Sequence, residues 1–583
     1  MTEIFVPPRD FFFQKVYINM TVTSKGRQFD RLATLWLGDV EIFRTSTAQP
    51  KPDPGITWTF MKDMTTYLEL WQMNQTVIFD LRNAVDEKNT GSFHVLVTAH
   101  FYDDGTGYFH SSPHPEAPHY IMPISAEKSG HLQPSYFSSP KENASVDILM
   151  PRNINRAILT VAATGQEGEE FWWSNVPQSA ASYFQSDGGN SLPGMGSFRE
   201  IQVFIDNQVV GLAWPFPVVF TGGVAPPLHR PLVGLQAFDL REYEIDITPW
   251  LSILCDGALH KITMRVVAAD DTVRPYPALV PAPKTWILSG KLFLWFNQIP
   301  GFTKATAPQD FSVGSVDYTT NVTGFGPDGF RYHQTISRSF NVSSLIHTTS
   351  GGKEPVEWTQ SFAMHSSGVI QDYGSTQNVT ALYMGQGSSR YGLDPAGLWT
   401  AFKYPIEASY RYLRAKTTFT TYAELKQGLE LVIMGHTPFY TGIEPFLPRL
   451  GNKIMAGTNV RTERQGKAHF VQHGDEFSTG HSQAQELYRL WAVPDLNYGK
   501  PFPHLDFKNL ATTLDVVPGP LLYERFVKLY NESRLEDDEK AWLKRTEPRG
   551  TALHTSDQPE FAVLPLYDLG GTNAFQRGLD GRD

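Results

Sequence analysis

The chain has 583 residues, with 49 basic and 60 acidic side chains giving a formal charge of −11, and one cysteine, Cys255. That length exceeds what one hydrophobic core serves, so roughly two to four domains are expected. A lone cysteine excludes an intramolecular disulfide and a cysteine-rich zinc site, and the interspersed charges offer no basic surface for nucleic acid or an anionic membrane.

Short runs rich in Val, Ile, Phe, Tyr, Trp and Thr, separated by Gly, Pro, Asp and Asn clusters, predict an all-β protein. The first elements in the chain return later. The lead-in strand Val16 to Val22 matches Ala157 to Ala163, and Phe29 to Ile42 is echoed by Phe198 to Gly211. The segment Asp63-Met64-Thr65-Thr66-Tyr67-Leu68 is echoed by Asp246-Ile247-Thr248-Pro249-Trp250-Leu251. Each copy runs on into two further strand-like segments, Thr76 to Leu81 and Phe93 to Tyr102 in one, His260 to Val267 and Trp286 to Phe296 in the other. Two tandem jelly-roll-like β-sandwiches related by an internal repeat are therefore expected, over residues 1–150 and 151–300, followed by a third strand-rich region over 301–583. Asn207, Gly257 and Gly290 are placed at turns, and Trp214-Pro215-Phe216-Pro217, which cannot donate regularly to a ladder, at an edge or loop. Within the third region, Phe330 to Tyr440 reads as another sandwich. The spacing near Ser482 to Trp491 and Leu535 to Lys544 predicts two helices.

No run approaches the roughly 18 to 20 apolar residues that cross a bilayer. Seven Asn-x-Ser/Thr acceptors, at Asn19, Asn74, Asn143, Asn321, Asn341, Asn378 and Asn531, point to a secreted glycoprotein. Met1-Thr2-Glu3-Ile4 has neither the basic start nor the apolar stretch of a signal peptide, so secretion requires a signal already removed from this sequence.

Residues present in one copy of the repeat and absent from the other are the better functional candidates, because what the fold needs should occur twice. Asp63 and Asp246 are therefore structural. Glu170, Trp172, Trp173, Asn175, Arg199, Trp214 and Arg230 are candidates, which places the site on the second sandwich and its junction with the first. Glu170 lies between Glu169 and Phe171-Trp172-Trp173, where like charge and desolvation would both raise its pKa. Glu200, beside Arg199, is the second candidate carboxylate, and Asp30, between Phe29 and Arg31, a third. Trp172, Trp173, Trp214 and Phe216 suit the C–H faces of a sugar, with Asn175, Arg199 and Arg230 for its hydroxyls; core packing is the alternative. Arg27, Arg31 and Arg44 either reach across from the first sandwich to hold a peptide or an N-acetyl carbonyl, or pair with Asp30, Asp39 and Glu41. Cys255 reads as an inert buried thiol. The loop carrying His110, His114, Glu116 and His119 is broken by prolines and reads as surface, so no metal site is expected.

The segments Gly26-Arg27-Gln28-Phe29-Asp30-Arg31, Leu35-Trp36-Leu37-Gly38-Asp39-Val40-Glu41 and Arg44-Thr45-Ser46-Thr47-Ala48-Gln49-Pro50 resemble the opening of the peptide:N-glycanase A family, the acid glycoamidases of plants and fungi. Glu170-Phe171-Trp172-Trp173-Ser174-Asn175, Trp214-Pro215-Phe216-Pro217 with Thr221-Gly222-Gly223, and His229-Arg230-Pro231 continue the match over roughly residues 10 to 300. The resemblance implies hydrolysis of the amide joining the innermost N-acetylglucosamine of an N-glycan to asparagine, without a cofactor, on N-glycopeptides or N-glycoproteins. It is one reason for placing His229 and Arg230 among the substrate-binding candidates, although the family pattern more often has tryptophan at His229. From the residues alone, an endo-β-N-acetylglucosaminidase and a noncatalytic carbohydrate-binding sandwich remain alternatives, and two carboxylates at a set separation, which the first of these requires, are not evident.

Overall fold

The computed structural model describes residues 1–542 apart from 10–11, 51, 104–116, 188, 275–276, 298–300, 348–351, 393–396, 436, 440–454, 475–476, 495–513 and 515–518, and beyond these a short strand at Phe575–Gln576. His110, His114 and Glu116 lie outside the described residues. Within them, no helix is long and apolar enough to cross a membrane.

The internal repeat is a repeat of structure. In the first unit the hairpin Leu32–Leu37 and Val40–Ser46 pairs with Gln75–Leu81, while Lys15–Lys25 lies between Ile56–Asp63 and Ser92–Tyr102 in the facing sheet. In the second, the hairpin Glu200–Ile205 and Gln208–Ala213 pairs with Leu259–Asp270, while Ile154–Gly165 lies between Tyr243–Asp246 and Trp286–Phe296. Even the local hydrogen bonding recurs. Asp63 Oδ1 accepts the Thr65 amide at 2.8 Å and Asp246 Oδ1 accepts that of Thr248 at 2.9 Å, each stopping a strand and starting a short helical turn. Asp206 and Asn207, at φ 47° and 71°, form the two-residue hairpin turn that the second repeat requires. Gly257 precedes its strand in a turn, as expected. Gly290 does not: it sits inside Trp286–Phe296, where a Cβ would come 2.9 Å from Met264 Sδ, so its small size serves packing between the sheets.

Strands Tyr120–Ile124 and Phe137–Ser139 pair with Trp286–Phe296 and so extend a sheet of the second unit. The two units share a core. Trp58 stacks on Phe238 at 5.5 Å, and Tyr67 meets Phe293 at 5.9 Å.

The third region is not a sandwich over Phe330 to Tyr440, the last of which lies outside the described residues. Among the described residues its strands form one 12-stranded antiparallel sheet, a meander from Gly329–His347 to Ser533–Ala541 with three further strands on its first member, apart from Phe575–Gln576, which pairs with Ile56–Asp63 of the first unit. One face packs on the second unit. Trp214 stacks on Phe362 at 5.1 Å, Trp172 meets Tyr383 at 5.4 Å and Phe216 meets Tyr404 at 4.9 Å. Both expected helices fall on strands of this sheet, the second as far as Ala541, with residues 543–544 outside the described residues. Over Phe477–Pro494, Ser482, Ala484, Glu486, Tyr488 and Leu490 face inward and alternate with outward neighbours, and both edges are paired, to Met455–His473 and Leu521–Tyr530. Long-range pairing overrides the helical preference of a Gln- and Glu-rich segment. Ser533–Ala541 is the last strand of the sheet, tied by a bidentate Arg525–Asp537 pair at 2.9 Å.

Candidate functional site: a carboxylate pair at the seam

Glu169 and Glu170 are neighbours in sequence with opposite fates. The turn carrying them leaves the strand Ile154–Gly165 as a short 3-10 helix, Glu167–Glu169. Glu169 is buried and takes a bidentate pair from Arg199, Nε to Oε2 at 2.5 Å and Nη2 to Oε1 at 2.7 Å, with Trp286 Nε1 donating at 2.8 Å. Arg199 spends its third nitrogen on the carbonyls of Met195, Gly196 and Phe198. This saturated pair anchors the turn, and Glu170, next along it, lies close to Asp30 of the first unit. Burial first, and then the charge of Asp30, push the Glu170 carboxyl up to about 8.

Asp30 precedes the strand Leu32–Leu37. Burial raises its pKa too, against the opposing pull of the backbone N–H groups of Asp30 and Gly222 and of the neighbouring Arg31 guanidinium. A Cβ on Gly222 would fall 2.3 Å from Asp30 Oδ1, so only glycine allows this approach. The two units are stitched here by Thr47, whose hydroxyl accepts the Arg31 amide at 2.9 Å and whose carbonyl accepts Thr221 Oγ1 at 2.8 Å. Phe171, half-buried, borders the pair from the second unit, with a ring carbon 3.1 Å from where a Gly223 Cβ would stand. Phe29, 52% exposed with the Arg31 guanidinium 5.8 Å from its ring centre, borders it from the first. Arg31 gives Nη2 to Gln28 Oε1 at 2.7 Å and leaves Nε without a partner.

The third region holds the next loop. His229 is buried, and its imidazole is held well below its usual pKa by burial and by Arg464. It is therefore neutral, and because its Nε2 lies 2.9 Å from the Gly223 carbonyl, which can only accept, the proton is on Nε2. Nδ1 then accepts from Arg464 Nη2 at 3.4 Å. The same Arg464 nitrogen bonds the carbonyls of Leu228 at 2.5 Å and Leu232 at 3.1 Å. His229 is thus a brace for the Gly222–Gly223 turn. Arg230 is less well satisfied: Nη2 lies 3.4 Å from the Gln49 carbonyl, Nη1 lies 3.9 Å from Glu532 Oε1, and Nε has no partner, with burial pulling the guanidinium down to about 10.

Other sequence-derived candidates are packed elsewhere. Glu200 is fully buried. Its oxygens accept Gln202 Nε2 at 2.6 Å and Trp214 Nε1 at 3.1 Å, with Arg338 Nε 3.4 Å away, so it closes a network between the second unit and the meander. Trp172, Trp173 and Trp214 are core residues and form no sugar-stacking wall: the meander packs on Trp172 and Trp214, and Trp173 is buried beside Phe171. Arg199 is committed to Glu169. Asn175 is buried and donates to the Gly194 carbonyl at 3.0 Å, which ties down the half-buried loop before Phe198. Arg44 makes a buried bidentate pair with Glu41 at 2.6 and 2.7 Å and also reaches Thr164 and Ile287, which makes it part of the joint between the units. Arg27 is half-buried, with its backbone amide on Thr90 Oγ1 at 3.2 Å. Cys255 is buried and free, its thiol pushed up to about 11 by burial.

Fold and candidate site together describe an all-β protein with two carboxyl groups, Asp30 and Glu170, both raised in pKa by burial, one on each side of the seam between two repeated β units. Residues 1–310 match the family described as Peptide N-acetyl-beta-D-glucosaminyl asparaginase amidase A, and residues 331–406 match the PNGase A C-terminal domain. The chain belongs to this family. It is 35% identical over 505 residues, 83% of its own length and 81% of the other's, to Peptide-N4-(N-acetyl-beta-glucosaminyl)asparagine amidase A of Prunus dulcis. Two structures of PNGF-II, in C2 and P21 space groups, are more distant, at TM-scores of 0.30 and 0.31 and 12% and 10% identity. They cover 49% and 50% of this chain and 58% and 59% of theirs.

Proposed function

We infer that this protein is a glycoamidase: it hydrolyses the amide between the innermost N-acetylglucosamine of an N-glycan and asparagine, releasing the glycan as a glycosylamine and leaving aspartate. The observation that carries the reading is the Asp30–Glu170 pair at the seam of a chain belonging to the PNGase A family. Asp30, raised by burial but drawn back toward the ionised form by its backbone bonds and Arg31, takes a proton from water, when ionised, as that water attacks the amide carbon. Arg31 faces the developing oxyanion. Glu170, protonated below about pH 8, gives its proton to the departing nitrogen, and the C–N bond breaks. Arg230 holds a polar group of the glycopeptide at the junction of the three regions. The substrate is an N-glycopeptide or N-glycoprotein, and the interspersed charge of −11 supports neither nucleic acid nor membrane as a partner. Seven acceptor sequences support secretion, with Asn74, Asn143, Asn321, Asn378 and Asn531 exposed.

Mass spectrometry of one N-glycopeptide incubated with the protein in heavy-oxygen water tests the reaction. Aspartate carrying one heavy oxygen, with the whole glycan released, is expected. A peptide retaining one N-acetylglucosamine would make the protein an endoglycosidase, and an untouched glycopeptide would make it a binding protein.

A further inference from the structure

The meander has an outer face that the repeated units leave uncovered, and this face carries a groove of about 580 Å³. Its floor is two rows of side chains set by register. In one row Arg411, Tyr422, His469 and His481 are directly opposed across four strands; in the next, Glu424, Lys467, Gln483 and Tyr530 are. Tyr422 and His469 stack at 4.6 Å and 17°, and His481 meets His469 edge-on at 5.1 Å. Tyr422 is 49% exposed and Tyr530 is 52% exposed, although inward neighbours on the same strands are buried.

We propose that this groove is a second carbohydrate site, binding an oligosaccharide on the opposite face of the sheet from the seam. The volume is that of a small-ligand site, about 300 to 1,000 Å³. Aromatic rings beside amide, hydroxyl and charged heads match the C–H face and hydroxyl edge of a sugar. Lys467 is neutralised by Glu424 at 3.0 Å, which leaves Arg411 as the fixed cation of the two rows, short of the concentrated positive charge that an anionic ligand needs. The strands under the groove are paired on both edges, so a peptide has no free ladder to join. Arg464 and Gly466 on the same strand point inward to Leu228, whereas Lys467 and His469 point outward, so sugar in the groove touches neither Asp30 nor Glu170. The site does not depend on the amidase reading. Two sources share its chemistry: a glycan of the substrate, and one carried by this chain, because the acceptor Asn378 is bonded to the groove residue Ser409 and the acceptor Asn531 follows Tyr530.

The test is calorimetric titration of the full chain, made without glycans, with a free high-mannose N-glycan, while ring signals of isotope-labelled histidines are followed. Shifts at His469 and His481 are expected, with at least a tenfold loss of that binding in Tyr422→Ala and His481→Ala, and unchanged hydrolysis of a short singly glycosylated peptide. In the glycosylated protein, weaker binding that returns in Asn378→Gln/Asn531→Gln assigns the groove to the chain's own glycan; equal binding assigns it to substrate. Unmoved histidine signals in the unglycosylated wild type at about 10 mM sugar, well above a millimolar Kd, overturn the proposal whether or not the variants fold.

Discussion

Glu169 and Glu170 differ by one position and by everything that matters for chemistry, and their variants should separate accordingly. Glu170→Gln keeps the turn, because Glu169 and Arg199 still hold it, and removes the proton donor: kcat should fall by about 10² or more with the melting temperature unchanged. Glu169→Gln should do the reverse to stability, leaving Arg199 buried without a counter-charge at a cost of about 3 to 5 kcal/mol, read by denaturant unfolding. The same pair sets the pH dependence. Glu170, raised to about 8, must be protonated to act, so activity should be lost as pH rises through about 8. Asp30 must be ionised, and its raised pKa moves the acidic limb above the ordinary carboxylate range. A bell-shaped kcat/KM profile is expected, and Glu170→Gln should flatten its upper limb at the residual rate; a profile unchanged in shape would dissociate Glu170 from catalysis. Glu170 was legible in the sequence because Glu-Glu before an aromatic cluster is a recognisable desolvated setting. Asp30 was legible as a candidate too, but its pairing with Glu170 was not, since nothing local links residue 30 to residue 170.

At the scale of elements, the seam is held from behind. Gly222 lies against Asp30, Gly223 is braced by His229, and His229 and its flanking carbonyls are held by Arg464 from a strand more than 200 residues later. Arg464→Lys keeps the charge but cannot reproduce the branched guanidinium contacts. It should lower kcat by roughly tenfold with little change in KM, while the His229 ring, still buried and still facing a positive charge, should stay neutral. A variant that loses stability alone, with kcat intact in the folded fraction, would restrict Arg464 to packing. The tryptophans teach the complementary lesson. Trp172, Trp173 and Trp214 look like a sugar platform in a linear reading, but all three are buried, and Trp172 and Trp214 face a sheet whose existence over that surface no local pattern announces. Segments of alternating strand pattern were readable because one face is buried. Ser482 to Trp491 was misread because its residue types favour helix and only its two paired neighbours make it a strand.

At the scale of the whole molecule, the described parts of the three regions share buried contacts. The core of the second unit continues into the inner face of the meander, with Phe198, Trp214 and Phe362 in contact in series. The first unit is joined to the second by a buried polar chain in which Lys291, paired with Glu242, donates to the Glu41 backbone carbonyl, while Arg44 and Ser289 bond the Glu41 carboxylate. A chain ending at residue 300 would expose those aromatic faces, so it should be insoluble or molten, whereas the full chain should melt in one transition; a soluble, cooperatively folding fragment would show that the meander is dispensable for the core. The amino-acid sequence by itself determined the strand content, the duplication of the β unit, its hairpin turns and the family, because these rest on period-two patterning, turn chemistry and motifs that lie within short stretches of chain. Only the tertiary structure decided which carboxylate Glu170 faces, that Glu200 and the tryptophans are interior, and that the third region clamps the seam and carries a groove on its far side. Those outcomes depend on contacts between residues far apart in the chain, where burial and pairing are set by the fold and not by neighbours.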